Sequence, residues 1–168
     1  MSTQDVLIMT CLYLAALLAV TYFTRATAQR LAGALAGGAA VAFLGLGIIA
    51  LGQVRGWWRV ALSESPSFLV LFYLGLAISC SPIPLVTWRV VRRFGWRGLA
   101  TCVVMVAIIG PPRDYLIAAV FPAWMTFGPG IAPVLAVATF YVSLVALGHA
   151  VMRLISGPSR QDPLARRS

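Results

Sequence analysis

Five long apolar runs constrain the fold of this chain more than any other feature of its sequence. A helix of about 20 apolar residues spans a hydrocarbon core about 30 Å thick. The pattern therefore predicts an all-α, polytopic integral membrane helix bundle with about five transmembrane helices. The predicted spans are residues 6–24, 31–54, 66–88, 98–112 and 131–155.

Composition excludes an ordinary soluble domain. Hydrophobic residues make up 61% of the chain and charged residues only 10%, against about 45–50% and about 25% in soluble domains. So few charges could not cover the surface of a core this apolar. We expect residues 1–155 to form one transmembrane bundle and residues 156–168 to form a polar, disordered cytoplasmic tail.

The arginines predict the orientation of the chain in the membrane. All 13 basic residues are arginines, and cytoplasmic loops are enriched in basic residues. If residues 98–127 cross once, ten arginines fall on one side and three on the other. A re-entrant hairpin at residues 110–114 would leave six arginines on each side and Arg113 in the membrane. We therefore expect the N-terminus outside and the C-terminus in the cytoplasm, in a multi-pass protein of the cell membrane, the bacterial inner membrane.

The motif GPPRD at residues 110–114 interrupts the fourth run. Pro111 and Pro112 lack N–H donors, which predicts that the helix ends there. Arg113 would lie about 24 Å from Arg97 along a helix, near the outer boundary of the membrane. Residues 115–127 would then lie along the outer interface or form a re-entrant segment.

Arg113 and Asp114 are the main candidates for a binding site. Charged residues within a transmembrane segment are often functional, although this pair could simply position the end of a helix. An anionic headgroup or substrate would be recognised by Arg113, with Asp114 holding the guanidinium in place. Tyr115 and the outer-loop residues Arg55 and Arg59 could join this site.

Two further groups of polar residues are candidates. His149, the only histidine, predicts either a hydrogen-bonded packing residue or a proton-transfer group. Four arginines share helical spacing, and we expect them to fix topology and contact anionic lipid headgroups. They are Arg89, Arg92, Arg93 and Arg97.

Several local patterns predict helix ends and packing. Ser2 and Asp5 form a capping box, and Ser65 followed by Pro66 predicts a helix start. The stretch SCSPIP at residues 79–84 predicts a kink whose freed carbonyls bond to serine hydroxyls. Gly33 and Gly37 form a G-x-x-x-G motif, for which we favour packing within the chain over contact with a second copy or another membrane subunit.

Catalytic, metal-binding and nucleotide-binding motifs are missing from the sequence. We therefore expect no catalytic residues, no metal, no cofactor and no nucleic-acid partner, while membrane lipids are expected partners. The favoured hypothesis is a non-enzymatic accessory or binding component that recognises lipid, an anionic ligand or a partner subunit. The alternatives are a small oligomeric transporter or channel and, third, an intramembrane enzyme acting on a lipid-like substrate.

Overall fold

A computed structural model describes residues 2–63 and 65–157. The predicted polar tail beyond Gly157 lies outside the described residues. Five helices and a short two-stranded sheet account for most of the described chain. The helices are α1 (Thr3–Thr24), α2 (Ala28–Val54), α3 (Pro66–Cys80), α4 (Pro82–Val120) and α5 (Ala132–Ser156), and the strands are β1 (Trp58–Val60) and β2 (Met125–Phe127).

The helices confirm the all-α class. Within the part of the chain that the structure describes, four helical stretches are long and apolar enough to cross a membrane. In that count α3 and α4 form one continuous stretch, Pro66–Val120, of 55 residues. Together they give the apolar helix bundle that the runs predict.

The predicted helix starts are present in the structure. Ser2 Oγ accepts a hydrogen bond from the Asp5 backbone N–H at 3.1 Å, and Asp5 Oδ2 accepts one from the Ser2 N–H at 2.7 Å. This reciprocal pair is the predicted capping box. Ser65 is the N-cap of α3 and Pro66 its first residue.

The prolines at residues 82 and 84 interrupt the helix at Ser81, between α3 and α4. Ser81 Oγ donates to the Ala77 carbonyl at 2.7 Å, and Ser79 Oγ donates to the Leu76 carbonyl at 2.8 Å. The carbonyls that the prolines leave without an i+4 donor are those of Ile78 and Cys80, so the prediction that the serine hydroxyls bond to the freed carbonyls is wrong. The Ile78 carbonyl instead accepts from the Ser81 backbone N–H at 3.2 Å. Ser81 itself keeps helical angles, φ −66° and ψ −32°.

Gly95 bends α4 sharply, which the sequence analysis did not predict. Its φ of 64° and ψ of −150° are non-helical and interrupt the helix between residues 94 and 96. Glycine adopts a positive φ without the steric penalty that a Cβ atom imposes. Arg97 therefore lies beyond the bend and does not continue the helical face of Arg89, Arg92 and Arg93.

The prediction that the helix ends at Pro111 and Pro112 is wrong. Both prolines lie inside α4, which continues to Val120. Each proline removes one backbone donor, a loss that membrane helices tolerate where neighbouring groups or local adjustments satisfy the freed carbonyls. Residues 115–120 are consequently part of the helix and not a separate apolar segment.

The end of the expected interfacial segment forms the strand β2, which pairs antiparallel with β1. Trp58 lies opposite Phe127, Arg59 opposite Thr126 and Val60 opposite Met125. Gly128 N–H also donates to the Trp57 carbonyl at 2.8 Å. The chain after α2 is thereby joined to the chain before α5. We call this end of the bundle the sheet end.

Small residues of α2 allow close packing against α5 and the α3–α4 junction. A Cβ atom on Gly37 would lie 2.8 Å from the Gly148 carbonyl oxygen, and one on Gly33 would lie 2.6 Å from Ser156 Oγ. Gly38 is in equally close contact with Ser81. The Gly33 and Gly37 face is therefore occupied within the chain, and a partner subunit would have to bind another surface.

Hydrogen bonds join four helices in two pairs at the opposite end of the bundle. Arg89 Nη1 donates to the Thr24 carbonyl at 3.2 Å, which joins α4 to the end of α1. Gln29 Nε2 donates to the Ile155 carbonyl at 3.0 Å, which joins the start of α2 to the end of α5. Because most described arginines lie on these segments, we call this the arginine-rich end.

Candidate functional site

A cavity of about 480 Å³ opens between the helices near the sheet end. All five helices and both strands contribute to its wall, which is mostly apolar. This volume lies within the range of about 300–1,000 Å³ for small-molecule sites. Its polar groups include Tyr13, Arg113, Asp114 and Tyr141, which we call the Arg113 cluster.

The Arg113 cluster is a hydrogen-bond network centred on Arg113. Arg113 Nη1 donates to Asp114 Oδ1 at 3.2 Å and to the Tyr141 hydroxyl at 2.6 Å. The Tyr141 hydroxyl donates to Asp114 Oδ1 at 2.8 Å, and Arg113 Nη2 donates to the Tyr13 hydroxyl at 3.2 Å. Side chains from α1, α4 and α5 therefore meet around a single ion pair.

The cluster lies within three helices, away from the ends of each of them. Tyr13 lies ten residues after Thr3 and eleven before Thr24, which is about 15 Å from either end of α1. Tyr141 is nine residues into α5, or about 14 Å. Because seven residues of α4 follow Arg113, the prediction that Arg113 marks the end of its helix is wrong.

The charges within the cluster balance. The guanidinium of Arg113 is compensated by the carboxylate of Asp114, and both also bond to Tyr141. The side chains are 47% and 21% exposed, respectively. An ion within a membrane-spanning bundle needs such partners even when it is partly exposed, because an isolated charge in the membrane is costly. The cluster thus offers hydrogen bonds without an excess of positive charge.

One hydroxyl proton of the cluster is available to a ligand. Tyr13 accepts from Arg113, and within residues 2–63 and 65–157 no acceptor is in hydrogen-bonding distance of its own O–H. Two other hydroxyls of the cavity wall bond to their own helices: Thr10 to the Val6 carbonyl at 2.7 Å and Ser79 to the Leu76 carbonyl. Tyr13 is therefore the best-placed donor to a guest.

The other residues expected at this site lie elsewhere. Tyr115 stacks on Phe127 with ring centroids 4.0 Å apart. Arg55 is the C-cap of α2, and Arg59 in β1 lies opposite Thr126 in β2. None of these three is among the described residues that line the cavity. The structure brings together Arg113 and Asp114 alone from the expected set.

Tyr13 and Tyr141 were missed because they lie in apolar runs distant in sequence from Arg113. The available signal was indirect: a charged pair inside a bundle needs hydrogen-bonding partners from neighbouring helices. Gly110 gives a second signal. A Cβ atom at that position would collide with the Tyr141 ring, so glycine is required where α4 and α5 meet beside the cluster.

His149 lies on α5 outside the cavity wall. It is buried, its Nδ1 is 3.4 Å from Thr87 Oγ1, and its ring centroid is 6.3 Å from that of Trp88. Thr87 Oγ1 also lies 3.1 Å from the Pro84 carbonyl, to which it donates. This geometry suits a packing residue that contributes one hydrogen bond between α5 and α4.

The four expected headgroup contacts have different environments. Arg89 bonds to the Phe23 and Thr24 carbonyls at the end of α1. The Arg93 guanidinium lies 5.3 Å from the Phe94 ring centroid. Arg92 lines a small pocket with Arg30, and Arg97 is exposed beyond the Gly95 bend.

In the described part of the chain, no three His, Cys, Asp or Glu side chains lie close enough together to hold a metal ion. Comparison of the sequence and fold with protein-family models, curated proteins and solved structures found no match.

Proposed function

We propose that this protein is a small integral membrane protein that binds a lipid-like ligand with an uncharged, hydrogen-bond-accepting head. The observation that carries this proposal is the Arg113 cluster, a charge-balanced polar group on the wall of an otherwise apolar cavity. Apolar walls with a few placed polar groups are typical of small-molecule sites. The binding role is non-enzymatic.

Five crossings are part of the proposal. The Gly95 bend divides the 55-residue stretch Pro66–Val120 into two segments, each long enough to cross once α3 is joined to the start of α4. The arginine-rich end then faces the cytoplasm, in agreement with the positive-inside rule. The N-terminus and the sheet end face outward, in the bacterial inner membrane or an equivalent cell membrane.

An uncharged head is favoured over the anion that the sequence suggested. An anion would have to displace Asp114 from Arg113 or leave a net negative charge in the bundle interior, and both are costly. A carbonyl or hydroxyl oxygen can accept the Tyr13 O–H without disturbing the ion pair. The apolar part of the ligand would contact side chains such as Ile117, Phe140 and Leu144.

Transport is a second candidate function because charged side chains on an interior cavity often line a substrate path. It requires the ligand to leave on the side opposite to its entry. Flux of the same ligand across proteoliposomes distinguishes the two: a carrier moves the ligand, whereas an accessory binding protein only retains it.

Binding of two matched probes tests the proposal. Monooleoylglycerol is neutral and oleate is anionic, and both carry the same acyl chain. We expect purified, delipidated protein to bind monooleoylglycerol more tightly. We expect Tyr13→Phe to weaken this binding about tenfold, the effect of one hydrogen bond. Ile117→Trp should weaken it further by filling the cavity.

Matched controls carry the same chemical changes outside the cavity. Tyr22→Phe lies on the exposed face of α1 and Leu116→Trp on the exposed face of α4, and both should bind monooleoylglycerol like the wild type. Tighter binding of oleate, or equal losses in the controls and the cavity variants, would refute the proposed site.

A further inference from the structure

Aromatic rings are concentrated on the wall of the cavity beside the Arg113 cluster. Seven of the 25 described residues that line it are aromatic, whereas aromatic residues make up only 11% of the chain. Aliphatic side chains would be enough to hold an acyl chain, which gains only dispersion contacts from its surroundings. The composition of the wall therefore points to a guest that makes a more specific contact with aromatic rings.

Two of these rings, Trp124 and Phe127, are each backed by a parallel ring. Trp124 stacks on Phe121 with ring centroids 4.4 Å apart and planes at 12°, and Phe127 stacks on Tyr115 at 4.0 Å and 6°. Neither backing ring is among the described residues that line the cavity. Because one face of each inner ring is covered by its backing ring, the atoms that reach the cavity belong to the other face or to the edge.

The backed rings lie within reach of the Arg113 cluster. Tyr115 and Phe121, the C-cap of α4, follow Arg113 by two and eight residues, which is about 3 Å and about 12 Å along the helix axis. The inner rings stack directly on these two residues and line the same cavity as Tyr13. A single lipid-like molecule can therefore contact an inner ring and accept the Tyr13 O–H at the same time.

The site sets three requirements for the head of the guest. A planar unsaturated ring suits the inner rings, because aromatic rings attract one another in offset-stacked or edge-to-face arrangements beyond their area of contact. The Tyr13 O–H requires an acceptor on that head, and the charge balance of the cluster requires a head without net charge. A quinone meets all three requirements, since its ring is planar and uncharged and carries carbonyl oxygens.

We propose that the ligand of the cavity is a lipid-soluble quinone, whose ring packs against Trp124 and Phe127 and whose carbonyl accepts the Tyr13 O–H. This inference rests on the proposed function, because it names the chemical class of the uncharged head. The apolar tail of the quinone contacts the aliphatic part of the wall. Tyr115 and Phe121 are positioning residues, which support the two inner rings from outside the cavity.

Two neutral probes with tails of equal carbon number test the proposal. Decylubiquinone carries a quinone ring and monodecanoylglycerol an acyclic head, and each is titrated into purified, delipidated protein at one fixed detergent concentration. We expect the wild type to bind decylubiquinone about tenfold more tightly, the effect of a good ring contact. Trp124→Leu and Phe127→Leu should each weaken decylubiquinone binding several-fold and leave monodecanoylglycerol binding within about twofold, because leucine keeps an apolar wall but has no ring.

Matched controls make the same changes at exposed positions that do not line the cavity. Trp96→Leu and Phe43→Leu lie at residues that are 75% and 76% exposed, and both should bind the two probes like the wild type. Tyr115→Leu should weaken decylubiquinone binding, and Tyr115→Phe should restore it, because a phenyl ring stacks on Phe127 as a phenol ring does. Equal losses in Tyr115→Phe and Tyr115→Leu would contradict support by stacking.

The two probes also separate this inference from the proposed function. If the wild type binds both probes equally, or if Trp124→Leu and Phe127→Leu weaken both probes alike, the quinone assignment is overturned. The proposed function still holds in that case, provided that Ile117→Trp blocks monodecanoylglycerol. If neither probe binds the wild type, the proposed function fails and the quinone assignment fails with it.

Discussion

The Arg113 cluster and the arginine-rich end of the bundle use similar side chains in different ways. In the cluster one guanidinium meets one carboxylate and two tyrosine hydroxyls. At the arginine-rich end, Arg89 bonds to the Phe23 and Thr24 carbonyls, and the Arg93 guanidinium lies 5.3 Å from the Phe94 ring centroid. A charge without a counter-ion is far more costly inside the bundle than near the headgroups, so the cluster needs its carboxylate. This balance of charge is the reason that we propose an uncharged ligand for the cluster.

Removing the carboxylate of the cluster should give the largest effect. Asp114→Asn leaves Arg113 charged without its counter-ion. We therefore expect the free energy of unfolding to fall by about 3 kcal/mol. This is the lower end of the cost of breaking a buried ion pair, because Arg113 is partly exposed. Equilibrium unfolding in detergent measures this loss. The double variant Arg113→Leu with Asp114→Leu should lose less than Asp114→Asn alone. A larger loss in the double variant would contradict the balanced-charge account.

Packing of α2 against α5 connects the two regions and gives the next effect. In Gly37→Ala the new methyl group would lie 2.8 Å from a backbone oxygen of Gly148, and overpacking of this kind costs about 1–3 kcal/mol. Gly47→Ala is the control on the same helix, since nothing lies within 4 Å of a Cβ there. The thermal midpoint should fall for Gly37→Ala and hold or rise for Gly47→Ala. Equal midpoints would mean that α2 and α5 are not in this contact.

Arg89 should give the smallest effect on stability. Arg89→Met keeps the aliphatic stem but removes the hydrogen bonds to the Phe23 and Thr24 carbonyls, so we expect a loss of about 1 kcal/mol. Arg97→Met, at an exposed position beyond the bend, should change stability by less than half of that. If Arg97→Met were the more harmful change, the joining of α4 to α1 at the arginine-rich end would be wrong.

Local rules account for the features that the sequence predicted correctly. The capping box of Ser2 and Asp5 and the proline start at Pro66 depend on neighbouring residues alone. The interruption at Ser81 likewise follows from the missing backbone donors of Pro82 and Pro84. The apolar runs predict the helical membrane class because their lengths match the bilayer.

Features that depend on distant residues could not be predicted in this way. Tyr13 is 100 positions from Arg113, and no local pattern connects them. The pairing of β1 with β2 likewise joins segments more than sixty residues apart. At Pro111 and Pro112 a local rule gave the wrong prediction, because prolines usually end a helix. A membrane offers no water to bond the backbone groups of an ended helix, and this favours continuation of α4.

The depth of residue 116 tests the central claim most directly. A spin label is attached at Leu116→Cys, next to the cluster but on the exposed face of α4, in protein whose three native cysteines are replaced by alanine and which is reconstituted in bilayers. The references are Leu12→Cys, beside Tyr13, and Arg59→Cys, in β1. We expect the labels at 116 and 12 to be relaxed by oxygen and shielded from a water-soluble nickel chelate, while the label at 59 is relaxed by the chelate. If the label at 116 is as open to the chelate as the label at 59, the ion pair lies at the membrane surface and the account of a balanced interior site is wrong.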